Sequence, residues 1–264
     1  MGSNHPLAMP SGVLPEASPV ELVEAAAQAG FDFGGMWMEA DQWTDATTRA
    51  VKQRLSDTGL KLLDIEVAWI KPGPLNPDLI RMIEVGAELG ARNVLCVTTD
   101  PNREASRDKL ALLMERGEQC GIRINLEFAL FTEVPTIVDA CALLGEIASP
   151  AAGLLIDSLH WQRSGGTLEE VAAVPREWLS YVQLCDAPAV GPQPPDPQVL
   201  LIEATDDRLP MGQGGLPLRP LIELLPDGLP IAIEERSKAL RDAYPDFNER
   251  ARALARTSRA FFEG

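Results

Sequence analysis

The chain has 264 residues, 45% of them hydrophobic and 23% charged, with 23 basic against 39 acidic side chains and a formal net charge of −16. That length and apolar content suit a globular protein that buries its own core, and an acidic balance with no offsetting basic patch argues against nucleic acid as a partner. The opening MGSNHPLAMPSG lacks the charged and then apolar run of a secretory leader, and no apolar stretch approaches the ~18 residues that would span a membrane. Cys96, Cys120, Cys141 and Cys185 are scattered in apolar contexts without Cys-x-x-Cys spacing. They read as buried thiols of a cytoplasmic, reducing environment rather than as a zinc or redox motif.

Taken in chain order, residues 1–12 form an N-terminal segment that includes a weak first strand, PLAMPSG. In SPVELVEAAAQAG, Ser18 is placed to cap a helix, with Pro19 in its first turn, Glu21 at the capping-box position and Gly30 as the stop. Seven further β-type runs follow: 33–38, 60–69, 92–99, 122–129, 153–157, 179–186 and 229–235. Between them NPDLIRMIEVGAELGA, REASRDKLALLMERGEQCG and TEVPTIVDACALLGEI carry apolar residues at helical spacing, and FNERARALARTSRAFFEG ends the chain. Strands alternating with helices call for a parallel sheet with right-handed crossovers. Eight such units over residues 1–264 predict one α/β domain, a (β/α)8 TIM barrel. An open doubly wound sheet is the alternative, but GxGxxG after the first strand and a P-loop are both missing. Residues 187–217 form a long irregular stretch after the seventh strand, which in a barrel overhangs the C-terminal face where barrel chemistry takes place.

Strands five to eight each carry an oxygen donor at or near the end of an apolar run: Glu127, Asp157, Gln183 and Glu234. A lone carboxylate is costly to bury unless it is paired or bound to a cation. Three carboxylates and a carboxamide converging on one barrel mouth suit a single hard divalent ion, Mn²⁺ or Mg²⁺, with open positions for water. One of the two histidines, His160, lies three residues after Asp157 in LLIDSLHW.

The order Glu–Asp–Gln/His–Glu resembles the xylose isomerase-like sugar phosphate isomerase/epimerase superfamily. The motifs that carry the resemblance are LEFA at Glu127, LLIDSLHW at Asp157 and His160, YVQLCDAP at Gln183 and Asp186, RLPMGQGGL from Arg208, and IAIEERS at Glu234. The resemblance implies a barrel mouth that holds one divalent ion through Glu127, Asp157, position 183 and Glu234. The third ligand, usually histidine, is Gln183 here, as in the hydroxypyruvate isomerase branch. A carboxamide oxygen in place of an imidazole nitrogen disfavours softer metals. The loop motif usually carries an acid where this chain has Gln213.

A cation bound to a carbonyl and its neighbouring hydroxyl acidifies the adjacent C–H, and a carboxylate on either face then moves the proton through an enediolate. Glu127 and Glu234 are the candidate acid/base pair. Arg208 is the candidate to hold a substrate oxygen or carboxylate, and His160 to approach the substrate. Arg236, Trp37 and Glu66, with Glu39 and Trp69 nearby, are candidates to line the pocket. Asp186 reads as an outer, loop-structuring residue. The expected activity is that of a metal-dependent isomerase or epimerase acting on a sugar, keto-polyol or small hydroxy-carbonyl compound. The alternative is a lyase on the same scaffold, a dehydratase of dehydroshikimate or keto-inositol type. A non-catalytic barrel that binds a ligand or partner has no need of three retained acids. Subunit pairing into a homo-oligomer through exposed barrel loops is in keeping with the family.

Overall fold

The computed structural model describes residues 5–264, so the first four residues of the N-terminal segment lie outside the described chain. The eight strands are β1 (Leu7–Met9), β2 (Phe33–Trp37), β3 (Lys61–Ile70), β4 (Asn93–Thr98), β5 (Arg123–Glu127), β6 (Ala152–Asp157), β7 (Val182–Leu184) and β8 (Ile231–Ile233). They close in sequence order into a parallel barrel, with β1 pairing both β2 and β8. Helices fill the connections, as the alternating rhythm of the sequence predicts.

Strand alternation decides which side chains reach the barrel interior. On β5, Ile124 and Leu126 join the large apolar layer between strands and helices, which leaves Asn125 and Glu127 on the inner face. The same phase puts Leu155 and Asp157 inside on β6, Tyr181 and Gln183 inside at β7, and Ala232 and Glu234 inside at β8. The inner apolar cluster holds Ala8, Phe33, Leu63, Leu95, Val97, Leu155, Tyr181 and Ala232. Glu127, Asp157, Gln183 and Glu234 therefore all lie C-terminal to this apolar plug. A second polar layer lies towards the strand starts: Asn125 donates to Asn93 Oδ1 at 3.0 Å and accepts from Ser180 at 2.6 Å. Asn93 in turn donates to the Leu63 carbonyl at 2.9 Å.

Local chemistry explains the helix boundaries. Helix Pro19–Gln28 carries the capping box read from the sequence, with the Glu21 N–H donating to Ser18 Oγ and the Ser18 N–H to Glu21 Oε2 at 2.9 Å. Helix Ile137–Ile147 starts later than the TEVPTIVD pattern implies, because Pro135 disfavours helical backbone before it and Thr136 caps from its own side chain. The stretch 187–217 corrects the sequence reading. It is not irregular throughout but contains helix Pro197–Asp206, capped by Asp196 with Pro197 in the first turn. Asp196-Pro197 before VLLIEA was a legible start signal. The cysteine reading also changes: all four are free, but only Cys96 and Cys185 are buried, while Cys120 and Cys141 are half-buried. Among the described residues no helix is long and apolar enough to cross a membrane.

Gly153 faces the lower polar layer, where an added Cβ would sit 2.2 Å from Asn125 Oδ1. Gly153→Ala therefore forces the Asn125 amide out of its hydrogen bonds, and the expected loss is about 1–3 kcal/mol. A lowered urea midpoint at unchanged slope is the signature to look for.

Candidate active site

Asp157 is the end of β6 and also the N-cap of the short helix Ser158–Arg163. Its Oδ1 accepts from the N–H groups of Leu159 at 2.7 Å and His160 at 3.2 Å. Asp-x-x-His is thus a capping geometry in which the acid holds the turn that carries the imidazole. The other oxygen, Oδ2, accepts from Arg208 Nη1 at 2.6 Å. Burial pushes the Asp157 carboxyl up, but the Arg208 charge and these donors outweigh it and hold the group below its ordinary value.

Glu127, at the end of β5, lies on the neighbouring strand. His160 Nε2 stands 3.9 Å from Glu127 Oε1, and one ligand atom from each of Glu127, Asp157 and His160 lies within 4.8 Å of the others. Burial, reinforced by the charge of Asp157, raises the Glu127 carboxyl well above its ordinary range. Burial also drives the His160 imidazole down to about 4, so it is neutral at physiological pH. Phe131 packs edge-on against the His160 ring, with centroids 5.3 Å apart.

On the next strand, in register with Asp157, Gln183 Nε2 donates to Glu234 Oε2 at 3.0 Å. The amide N–H is thus directed at Glu234. Rotation about its last bond exchanges nitrogen for oxygen. Burial and the charge of Glu66 lift Glu234 to about 7. Glu66, on β3, is hydrogen-bonded by the Ser11 hydroxyl and is itself raised to about 7 by burial and the charge of Asp64.

Arg208 is 3% exposed, and its contacts are all to the chain: Asp157, the Ala204 carbonyl at 2.7 Å and Cys185 Sγ at 3.2 Å. It is not the solvated loop arginine that its acidic neighbours Asp206 and Asp207 would imply. Arg236 has a buried Nε without a hydrogen-bond partner. It lines a cavity of about 660 Å³ between the loops after β1 and β2, together with Ser11, Trp37 and Trp43. Trp37 is held by its indole N–H to Glu39 Oε1 at 2.5 Å, and Trp69 donates to Thr99 Oγ1 at 2.9 Å.

Ser11, Asp64 and Tyr181 escaped the sequence reading. Asp64 carries the same signal as Glu127, an acid inside an apolar strand, but lies in the middle of β3 rather than at its end. A register shift between β2 and β3 turns Asp64 to the inner side, below Glu66 and beside the Tyr181 hydroxyl. That hydroxyl has no partner of good hydrogen-bond geometry, although it still draws the Asp64 carboxyl downwards.

These features accompany a family assignment. The model of the xylose isomerase-like TIM barrel matches residues 23–254. The chain belongs to the xylose isomerase-like TIM barrel family. A 3-dehydroshikimate dehydratase of Pseudomonas aeruginosa is 31% identical over 194 residues, 69% of this chain and 30% of that enzyme. The chain thus spans about 30% of the length of the curated relatives it matches. Among solved structures, a xylose isomerase-like TIM barrel/4-hydroxyphenylpyruvate dioxygenase fusion protein superposes with a TM-score of 0.79 at 22% identity, covering 96% of this chain and 42% of that one. The IolI protein with a bound zinc atom superposes at 0.77 with 17% identity, covering 99% and 96% of the two chains. Both likenesses concern the barrel fold.

Burial raises Asp64 from 3.8 to about 7, against a smaller opposing pull from Tyr181. A carboxyl raised on folding keeps a proton that the unfolded chain has already released, so its contribution to stability is lost as pH rises from the unfolded to the folded value. In Asp64→Asn this loss disappears. Its unfolding free energy is expected to fall less steeply than wild type between those limits, by up to about 1.4 kcal/mol per pH unit. Denaturant titrations at several pH values measure the difference in slope.

Proposed function

We propose that this barrel mouth removes a proton from the carbon beside a carbonyl in a small hydroxylated substrate, with one divalent cation, Mn²⁺ or Mg²⁺, as cofactor. The observation that carries the reading is the charge balance: Glu66, Glu127, Asp157 and Glu234 face only two guanidinium groups, and His160 is neutral. Buried acids that repel one another fit a site completed by a cation. Glu127, Asp157 and Glu234 would hold it, with the Gln183 carboxamide oxygen as a hard fourth donor, and His160 stands within reach. When bound, such an ion polarises the carbonyl and acidifies the neighbouring C–H.

The remaining roles belong to the chain's own side chains. Glu127 and Glu234 take up and return the proton from different sides of the mouth. General acid–base catalysis asks for such carboxylates within hydrogen-bond reach of the proton. Arg208 keeps Asp157 ionised, His160 offers a neutral imidazole to a substrate hydroxyl, and Arg236 and Trp37 line the way in. The resulting enediolate or enolate has two fates. Expulsion of a β-hydroxyl, which leaves as water with a proton from a protonated carboxyl, makes the enzyme a dehydratase, and the P. aeruginosa relative favours this outcome. Return of the proton to a different carbon or face makes it an isomerase or epimerase, the reading that the family supports.

Cation binding requires the raised carboxyls to ionise, so it releases protons and tightens as pH rises through about 7. Calorimetry with Mn²⁺ in two buffers of different ionisation enthalpy measures that release. Glu127→Gln should weaken Mn²⁺ by at least the roughly 10–100-fold that follows loss of an outer hydrogen-bond partner. Absence of any Mn²⁺ or Mg²⁺ binding to the wild type would sink the cation reading. For the reaction, the Mn²⁺-loaded protein is incubated with 3-dehydroshikimate and with ketohexoses in heavy water and followed by mass spectrometry. Loss of water from 3-dehydroshikimate supports the dehydratase, solvent deuterium in an intact ketohexose supports the isomerase, and the absence of both changes refutes proton abstraction on both substrate classes.

A further inference from the structure

The turn Pro210–Leu216, reading PMGQGGL after Arg208, has the glycine-rich composition of an anion-binding cradle, with the N–H groups of the alternate residues Gly212, Gly214 and Leu216 facing inward. Its N–H groups already have an occupant. Asp186 Oδ2 accepts from Gly212 at 3.0 Å and Gly214 at 2.9 Å, and Oδ1 accepts from Leu216 at 3.0 Å and from Ala187 at 2.9 Å. The glycines make this approach possible. Gly212 has a left-handed φ of +83°, and a Cβ on Gly214 would lie 2.4 Å from Asp186 Oδ1. The carboxylate is 2% exposed.

The same residue also grips the segment on the other side of the turn. Asp186 and Leu209 exchange two backbone hydrogen bonds, at 2.9 and 2.8 Å, forming an isolated antiparallel bridge. Arg208 is the residue immediately before that bridge, and its own N–H donates to the Arg236 carbonyl at 3.2 Å. The segment that bears Arg208 is therefore laced between the extensions of β7 and β8, with the Asp186 side chain closing the turn behind it.

We propose that Asp186 is a positioning residue: its carboxylate serves as the internal anion of the glycine turn and thereby holds the Arg208 guanidinium on Asp157. Four converging backbone donors need an acceptor with two oxygens and a full charge, and charge-assisted bonds of this kind are about twice as strong as neutral ones. Asparagine keeps one acceptor oxygen and turns an NH₂ against the other pair of N–H groups. Alanine leaves all four donors without their partner.

The test reads Arg208 directly and needs neither turnover nor a cation, so it stands apart from the proposed activity. Wild type, Asp186→Asn and Asp186→Ala are treated with phenylglyoxal, and modification of the Arg208 peptide is followed by mass spectrometry. Arg208 in the wild type reacts slowly. In Asp186→Ala it reacts at least about tenfold faster, the change that loss of one charge-assisted hydrogen bond brings, and Asp186→Asn falls between. Formate, a free carboxylate of the missing size, restores protection to Asp186→Ala, while chloride at equal ionic strength does not. A folded Asp186→Ala, judged by circular dichroism, whose Arg208 reacts no faster than wild type overturns the proposal, as does equal protection by chloride and formate. If the alanine variant does not fold, wild-type protection of Arg208 in Asp186→Asn overturns it equally.

Discussion

Several carboxylates held out of water at one end of a closed barrel set the terms for the rest of this molecule. Parallel closure brings every strand's C-terminal end to one mouth, and strand alternation points Glu127, Asp157, Gln183 and Glu234 inward at that level. Repulsion between buried acids then has to be relieved group by group. Asp157 is the one that stays readily ionised, because it alone has both a guanidinium at 2.6 Å and the N–H groups of a helix start. Glu127, Glu66 and Glu234 have no such pairing and hold their protons to higher pH. That inequality separates the one carboxylate fixed on both oxygens from three that are not.

The segment after β7 supplies the positive charge that this arrangement depends on. Arg208 comes from it, and the chain treats the whole excursion as structure rather than as a free flap. Arg163 holds helix Pro197–Asp206 by a two-point contact with Glu203, at 2.9 and 2.6 Å. Asp186 closes the glycine turn beyond it. Both anchors come from elements that also build the mouth: Arg163 from the helix capped by Asp157, and Asp186 from the extension of β7. Site geometry and loop geometry therefore rise or fall together, as expected where reactive groups sit on loops fastened to a rigid scaffold.

Much of this was legible in the chain itself. Every strand, including the weak PLAMPSG, lies within a residue or a few of its sequence signal, since short β-branched runs bounded by turns leave little latitude. The acids at the ends of β5, β6 and β8 stood out because a charge interrupts an apolar run. Asp64 carried the same interruption, but a one-residue shift in strand register, invisible in composition, decides whether such a residue faces the interior. Helix Pro197–Asp206 carries its start signal at Asp196-Pro197 inside a proline-rich run that otherwise reads as loop, and Ser11 follows a first strand of only three residues.

Local sequence alone determined the elements, their order and thus the barrel, along with the caps at Ser18 and Asp157, because these follow from periodicity and from hydrogen bonds spanning a few residues. Only the tertiary structure decided how the polar groups share the mouth. It paired Arg208 with Asp157 across 51 positions and Gln183 with Glu234 across another 51. It also set His160 beside Glu127 and gave the glycine turn to Asp186. The physical reason is range: capping and alternation act within a turn or a strand, whereas the Coulomb energy of a buried charge depends on whichever group closure brings within a few ångströms.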